Sequence, residues 1–238
     1  SQGVLLIDAL DFAQFILQFP FLKLEGITTH FSNIEDTQDP SYARSQMDLF
    51  QKIVNRLEEN KIFIPLKHCA NSAATILFPE TYFDMVRVGI GLYGLFPSEN
   101  CAGNLIELQP ALSWKTRIVQ IKDIPCGAAV GYGCTYVAKR PMKIAILPVG
   151  YYDGYDRSLS NKSSVIIHGK LAQVVGRICM NIMMVDVTDI AGVRLEDDVI
   201  LLGDLMPAEI LARDADTIHY EIVTRIREEI PRRFSFPF

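Results

Sequence analysis

A tyrosine lies between two glycines at Gly131-Tyr132-Gly133. Glycine supplies no packing atoms and loses much conformational entropy on folding, so this arrangement adds little to a core. It does let the backbone turn tightly and present one phenol to a site. A phenol whose surroundings lower its pKa acts as a general acid or base. The segment therefore predicts acid–base chemistry at Tyr132, although a plain exposed turn uses the same residue types.

Polar residues near the ends of predicted strands form a second group with chemical potential. Asn71 and Ser72 follow the strand that ends at Cys69 and open a short helix. Free N–H groups there suit an anion such as phosphate, or the two residues simply cap the helix. Arg87 stands in an apolar run, so it needs a partner, either a carboxylate or a ligand. His30 ends an earlier strand, and alone it indicates only a hydrogen-bonded histidine.

The tyrosine segment and two segments downstream of it, GYYDG at 150–154 and VGRICMN at 175–181, together resemble the C-terminal half of alanine racemase. That family uses pyridoxal 5'-phosphate (PLP) to interconvert L- and D-alanine, which supplies D-alanine for peptidoglycan. The resemblance runs from about Leu24 to Phe234. It implies an α/β fold joined to an all-β fold, namely the C-terminal part of a (β/α)8 TIM barrel followed by a mainly antiparallel β domain.

On the cofactor side, the resemblance implies PLP and gives it ligands. The segment HCANSAAT looks like the family's phosphate-binding turn, which makes Asn71 and Ser72 cofactor ligands together with backbone groups at Gly89 and Ile90. The arginine that matches Arg87 faces the pyridine nitrogen in the family. Arginine stays charged and only donates hydrogen bonds, so it discourages protonation of that nitrogen and makes the ring a weaker electron sink.

On the catalytic side, the resemblance makes Tyr132 one of two bases. Racemisation removes a proton from one face of Cα and returns one on the other, which two bases on opposite faces do directly. In the family a lysine covers one face, and the tyrosine of a partner subunit covers the other, so a homodimer is implied. His30 would link Arg87 to the tyrosine by hydrogen bonds and lower the pKa of the phenol.

Three further residues receive substrate-side roles from the same resemblance. Tyr151 and Tyr220 match the family's entryway tyrosines, and Tyr220 would also reach the phosphate. Met180 matches the residue whose backbone touches the substrate carboxylate. The chain departs from the family at Asn181, where an aspartate is usual. The charge is lost there, so we assign no role to Asn181.

The elements that must position these residues begin with alternating helices and strands. Helical spacing predicts helices over residues 4–18, 40–60 and 72–77. Asp39 is the predicted N-cap of the second helix, with Pro40 at its first position. Buried strands are predicted over Leu24–His30, Ile62–Cys69 and Met85–Leu92. This alternation is typical of parallel strands with outer helices.

From Ala111 onward, short apolar runs broken by glycine and proline predict an antiparallel all-β domain. The predicted strands are Leu112–Ile121, Lys143–Leu147, Ser164–Ile167, Ala172–Ile178, Met183–Val187 and Val199–Leu202. Helices return at Pro207–Arg213 and His219–Glu229. We therefore predict a barrel portion in residues 1–104 and a β-rich domain in residues 105–238.

The barrel portion is too short to close on itself. A TIM barrel takes about 250 residues, and three strands alone leave parallel edges exposed. The resemblance implies the same. The family's first barrel strands, its Schiff-base lysine and its substrate-carboxylate arginine would all lie upstream of Ser1, and no lysine here lies in a segment resembling that lysine's motif. We expect a further N-terminal part.

Composition excludes other classes of protein. The 238 residues are 49% hydrophobic and 21% charged with a net charge of −5, which is ordinary for a globular protein and lacks the basic stripe of a nucleic-acid binder. Runs such as Val4–Ile7 are too short to cross a membrane, and no basic region precedes them, so we expect no signal peptide. The five cysteines lack metal spacing, so we expect buried, reduced thiols, no metal and a cytoplasmic protein.

Two alternatives stand beside alanine racemisation. One is a racemase for serine or for a broader set of amino acids, because part of the pocket lining is not in this sequence. The other is a non-catalytic fragment, because the Schiff-base lysine is not matched. Basic amino-acid decarboxylases fit less well, since the β domain lacks their cysteine–acidic cluster, and small PLP homeostasis proteins lack a β domain altogether.

Overall fold

The computed structural model describes residues 3–103 and 106–234, and the chain divides into two compact units, Ser1–Ala111 and Leu112–Phe238. The boundary predicted between residues 104 and 105 lies outside the described residues. The first unit contains α1 (Ala9–Leu17), β1 (Gly26–Thr28), α2 (Ser41–Glu59), β2 (Leu66–His68) and α3 (Ser72–Leu77). Short 3-10 turns connect several of these elements.

Local sequence signals explain the first unit well. The Asp39 carboxylate accepts the Ser41 N–H at 2.9 Å, but α2 begins one residue later than predicted, with Pro40 rather than Asp39 at the N-cap position. The buried residues of α2 recur at helical spacing: Ala43, Phe50, Val54 and Leu57. Strand β1 pairs in parallel with β2, with Gly26 opposite Leu66. The parallel βα arrangement is thus confirmed for two of the three predicted strands.

The strand predicted over Met85–Leu92 is wrong. The Arg87 N–H donates to the Ala70 carbonyl at 2.9 Å, so the segment passes beside the chain that follows β2. At Gly89, however, φ is −107° and ψ is −90°, outside the strand region. The Ser72 hydroxyl accepts the Gly89 N–H at 2.9 Å, so a side chain takes the group that a strand would use for pairing.

The second unit is antiparallel, as the sequence predicts. Its strands are β3 (Trp114–Arg117), β4 (Gln120–Ile124), β5 (Ala129–Val130), β6 (Tyr136–Val137), β7 (Met142–Leu147), β8 (Ser164–Ile167), β9 (Lys170–Gln173), β10 (Met183–Asp186) and β11 (Asp198–Leu202). They form sheets of order β10-β7-β4 and β3-β11-β8-β9 and a β5-β6 hairpin. Helices α4 (Ala208–Ala215) and α5 (His219–Thr224) follow.

The single strand predicted over Leu112–Ile121 is two strands in different sheets. The Glu196 N–H donates to the Ile118 carbonyl at 2.9 Å, which continues the pairing of β3. The next residue, Val119, donates its N–H to Ile146 of β7 at 3.0 Å. The chain therefore passes from one sheet to the other at this point, a step that an apolar run does not reveal.

The strand predicted over Ala172–Ile178 ends early, at Gln173, apart from one bridge between Val174 and Val185. Gly176 has a φ of +80°, which breaks the extended backbone. A Cβ added at Gly176 would meet the Val130 carbonyl oxygen at 2.6 Å, so only glycine fits this approach. Tertiary contact with β5 thus ends the strand.

The helix predicted over His219–Glu229 also ends early, at Thr224. The Arg227 N–H donates to the Asp153 carbonyl at 3.2 Å instead of to its own helix. Contact with a distant segment therefore terminates α5, whereas α3 has the predicted bounds.

All five cysteines are free, but their burial is mixed. Cys69 and Cys101 are buried as predicted, and burial raises the pKa of the Cys69 thiol to about 11. Cys126 and Cys134 are exposed, so the prediction of burial is wrong for them. Within residues 3–103 and 106–234, no cluster of His, Cys, Asp and Glu is arranged to hold a metal. No helix in these ranges has the length and apolar character to cross a bilayer.

Candidate functional site

The Arg87 guanidinium lies at the centre of a hydrogen-bond network in the first unit. Its Nη1 donates to Thr28 Oγ1 at 3.1 Å. Its Nη2 donates to the carbonyls of Thr29 at 3.0 Å and Cys69 at 3.2 Å. These acceptors stand at the carboxyl ends of β1 and β2, the edge of a parallel sheet at which ligands bind. Two neighbouring strands thus hold the arginine at a site-forming edge.

Two histidines complete this network. Arg87 Nη2 contacts His30 Nδ1 at 3.2 Å, and Nη1 contacts His68 Nδ1. Arginine has only donors, so both Nδ1 atoms accept and each imidazole carries its proton on Nε2. Burial, and secondarily the Arg87 charge, lowers the pKa of His68 below its ordinary value of 6.5. His68 is therefore neutral at neutral pH and serves as an acceptor.

Sequence reasoning missed His68 as a functional residue. The available signal was its position, since His68 closes β2 much as His30 follows β1. The predicted contact between Arg87 and His30 is present in the structure. The acceptors found around the guanidinium in the described ranges are hydroxyl, carbonyl and imidazole groups, and no carboxylate there forms an ion pair with it. A cation held by neutral groups favours an electron-rich ligand atom.

A second set of polar groups, made of neutral hydrogen-bond donors, begins two residues after Arg87 in the sequence. The N–H groups of Gly89 and Gly91 point to Ser72 Oγ at 2.9 and 3.5 Å. A Cβ added at Gly89 would meet nothing closer than that oxygen, at 4.0 Å, so the space beside the hydroxyl is open there, whereas a Cβ added at Gly91 would meet Val88 Cγ1 at 2.9 Å. Hydroxyl and backbone N–H donors around an open space suit a phosphate. Asn71 caps α3 by accepting the Ala74 N–H at 2.9 Å.

In the second unit, the hairpin of β5 and β6 encloses residues Gly131–Cys134, which we name the tyrosine turn. Both of its glycines have a φ of +72°, a conformation that favours glycine. A Cβ added at Gly133 would meet Arg177 Nη1 at 2.8 Å, so the arginine lies directly against the turn. Tyr132 itself is 73% exposed. The sequence did not predict this hairpin, but it did predict the presented phenol.

The segments that carry the family resemblance contact one another in this unit. We name residues 176–181 the Met180 loop. The Tyr151 N–H donates to the Cys179 carbonyl at 3.0 Å, and a Cβ added at Gly150 would meet that carbonyl oxygen at 2.1 Å. The side chains of Tyr151 and Met180 are exposed, like that of Tyr132. The fold thus gathers three presented side chains from distant stretches of sequence.

The predicted site residues therefore fall into two groups. The first unit brings together His30, Asn71, Ser72, Arg87, Gly89 and Ile90. The second unit brings together the segments of Tyr132, Tyr151 and Met180. Tyr220 stands in the first turn of α5, with its ring 5.0 Å from that of His219.

Comparison with known proteins adds to this geometry. Residues 2–97 match the family described as "Alanine racemase, N-terminal domain", and residues 111–234 match "Alanine racemase, C-terminal domain". The chain is 46% identical over 232 residues to an alanine racemase of Halothermothrix orenii and 49% identical over 212 residues to one of Desulforamulus reducens. The matches cover 96% and 89% of this chain but only 61% and 57% of those relatives.

Solved structures agree with this result. The alanine racemase from a D-cycloserine-producing Streptomyces lavendulae matches with a TM-score of 0.91 at 31% identity, over 100% of this chain and 64% of that one. The Bartonella henselae enzyme, solved with covalently bound pyridoxal phosphate, matches with a TM-score of 0.75 at 30% identity, over 90% of this chain and 58% of that one.

Proposed function

Since the chain belongs to the alanine racemase family, we propose that it supplies part of a PLP-dependent site that interconverts L- and D-alanine. The observation that carries the proposal is the Arg87 network. The Arg87 guanidinium is held by Nδ1 of His30 and of His68. The Gly89–Ser72 contact lies two residues further along the chain. Together they would suit a heteroaromatic ring that also bears a phosphate. The division into a barrel portion, 1–104, and a β-rich domain, 105–238, is part of this proposal.

Five residues would hold the cofactor beside Arg87. The Ser72 hydroxyl and the backbone groups at Gly89 and Ile90 would bind the phosphate, and the space left open beside Ser72 at Gly89 supports this role. Asn71 fixes the start of α3, and Tyr220 would add its phenol to the phosphate. The Bartonella henselae relative carries this cofactor covalently, which supports PLP here. Bound PLP would supply an electron sink for the carbanion formed at Cα.

Arg87 would set the strength of that sink. Five neutral acceptors of three kinds, namely hydroxyl, carbonyl and imidazole, fix the guanidinium in place, and its donors would face the ring nitrogen. A permanently charged donor keeps that nitrogen unprotonated. Electron withdrawal is then moderate, which favours rapid return of the proton over side reactions.

Tyr132 would move a proton at one face of Cα. Its exposure of 73% means that its own unit does not enclose the phenol, which supports a role at a surface completed by a second subunit. We therefore propose a homodimer in which Tyr132, Tyr151 and Met180 reach the site of the partner. His30 would connect the phenol to Arg87, and its Nε2–H is the donor left for that link.

The second base would be the family's lysine, which no lysine of this chain matches. Lys67, near the site-forming edge, is paired with Glu58 at 3.4 Å. The chain spans 57% to 61% of the curated relatives compared above, so this function is that of a larger protein. This gives a second candidate function. By itself the chain would be a non-catalytic part that binds the cofactor and forms the dimer. Preference for alanine over serine, and a cytoplasmic location, belong to the same proposal.

A complementation experiment tests both candidates. The chain would be assayed for racemisation of L-alanine and L-serine with PLP, alone and after co-expression with the part of the Halothermothrix orenii relative that it does not match. We expect racemisation of alanine only in the co-expressed pair, and a borohydride-trapped pyridoxyl-lysine only in the added part. Racemisation and one trapped lysine in the chain alone would disprove the need for that part. A folded pair that traps PLP yet racemises nothing would disprove the racemase proposal.

A further inference from the structure

We propose that Asn161 is a positioning residue that fixes the tyrosine turn against the Met180 loop. The inference deepens the proposed function and rests on it, because the two segments carry the proposed base and the proposed substrate contact. Asn161 lies between the 3-10 turn Arg157–Leu159 and β8, at a distance in sequence from both the tyrosine turn and the Met180 loop. Neither its residue type nor its spacing marks it as functional.

The side chain of Asn161 joins the two segments directly. Its Oδ1 accepts the Gly176 N–H at 2.6 Å, at the start of the Met180 loop. Its Nδ2 donates to Thr135 Oγ1 at 3.2 Å, immediately after the tyrosine turn. One planar amide therefore fixes the distance between two stretches of backbone, at Thr135 and Gly176, that lie far apart in sequence. Both the donor and the acceptor of the amide are used, which an isolated surface asparagine does not require.

Neighbouring contacts make this link a defined one. Ser160 Oγ accepts the Ile178 N–H at 3.0 Å, so consecutive side chains hold alternate N–H groups on either side of Arg177. The Arg177 guanidinium in turn lies against Gly133 of the tyrosine turn. Asn161 has a φ of +61°, a left-handed conformation that asparagine tolerates better than most residues.

The link matters because the phenol is presented rather than packed. Tyr132 is exposed, so the hairpin, Arg177 and Asn161 are what orient it within its own unit. A proton acceptor that moves by about 1 Å can lose about 100-fold in rate. Loss of the Asn161 amide should therefore slow the proton transfer made by Tyr132 more than the transfer made by the lysine on the opposite face.

Three substitutions separate the amide from the backbone. Asn161→Gly removes both side-chain bonds and keeps the φ of +61° without strain. Asn161→Asp keeps both bonds, because the Thr135 hydroxyl can reverse and donate to the carboxylate. Thr135→Val removes only the bond to the turn. Lys61→Gly is the matched control, since Lys61 is exposed, also has a φ of 61° and lies in the first unit.

The experiment uses the co-expressed active pair and two measurements. In hydrogen exchange, Asn161→Gly should increase exchange of amides 131–136 and 176–178 about 10-fold, and Asn161→Asp and Lys61→Gly should not. In kinetics, Asn161→Gly should lower kcat about 10- to 100-fold. It should also raise the α-deuterium isotope effect on kcat/KM in one direction only, with Thr135→Val showing a smaller change of the same kind.

The isotope effect distinguishes positioning from folding. A variant that merely misfolds contains fewer active sites and leaves both isotope effects unchanged, which would overturn the proposal. Unchanged exchange in residues 131–136 and 176–178 would also overturn it. If the unsubstituted pair racemises nothing, the proposed function fails. The exchange measurement then still decides whether Asn161 joins the two segments.

Discussion

The two units differ in how completely they bury their apolar side chains. In the second unit, large residues such as Ile118, Leu147 and Leu201 are fully buried, and the strands form sheets of three and four strands. In the first unit, Phe21 is 97% exposed and Leu92 is 75% exposed, and the sheet has only two strands of three residues. A pair of parallel strands has two free edges. The strands of the second unit thus pair in larger sheets than the two short strands of the first unit.

The side chains to which we assign a function show the reverse contrast. Arg87 of the first unit is held by five hydrogen bonds from two strands and their ends. Tyr132 of the second unit stands exposed on a turn. A hydrogen-bonded polar group thus stands in the first unit and an exposed phenol in the second.

The largest expected effect is that of Tyr132→Phe in the active assembly. Loss of a general base should lower racemisation about 10²- to 10⁴-fold. The melting temperature should not change, because the ring is exposed and the turn is retained. Tyr152→Phe is the matched control, since its ring lies under Arg227 at 3.9 Å and keeps that contact without the hydroxyl.

Isotope exchange at Cα checks this assignment further. Exchange of the α-proton with solvent should fall more for one enantiomer than for the other, because each base serves one face. Equal and modest losses for both enantiomers would show that Tyr132 is not a base.

Next in size is a matched pair of leucine substitutions that tests the contrast in burial. Leu201→Ala in the second unit should lower the free energy of unfolding by about 2–5 kcal/mol, because the side chain is fully buried. Leu92→Ala in the first unit should change it by less than about 0.5 kcal/mol in this chain. Urea unfolding followed by circular dichroism measures both. A large loss at Leu92 would mean that the first unit is covered in solution.

A smaller effect is expected from removal of the second histidine of the Arg87 network. His68→Leu leaves a donor of a charged group without its acceptor, which costs about 1.5–3 kcal/mol, or about 10- to 100-fold in kcat/KM. His68→Asn should restore most of the activity, because its Oδ1 can replace Nδ1 as the acceptor. Equal activity in the two variants would show that His68 is a spacer rather than a hydrogen-bond partner.

The smallest expected effect is a pH dependence confined to the first unit. Burial lowers the pKa of His68 below 6.5, so the unfolded chain binds the proton more readily than the folded chain. The contribution of neutral His68 to the free energy of unfolding is fully present above about pH 6.5, and it is lost as the pH falls through the lowered pKa of the folded state. Unfolding of the chain from about pH 8 to about pH 5 should show this slope. An identical slope in His68→Asn would assign it to another group.

Local sequence rules determined much of what the structure shows. The bounds of α3, the start of α2 to within one residue and the antiparallel second unit follow from periodicity and residue type, because each depends on neighbours within a few residues. The glycines around Tyr132 predicted a tight turn for the same reason, since the tolerance of a positive φ is a property of glycine itself. The contact between Arg87 and His30 was expected only from the family resemblance.

Tertiary structure alone decided where the backbone changes its hydrogen-bonding partner and which polar side chains come into contact. The irregular path at Arg87, the passage between sheets at Ile118 and the early end of α5 each depend on a hydrogen bond from a segment far away in sequence. His68 and Asn161 gain their importance in the same manner. Both bind groups brought close by folding, and a side chain that joins distant segments has no periodicity by which the sequence could mark it.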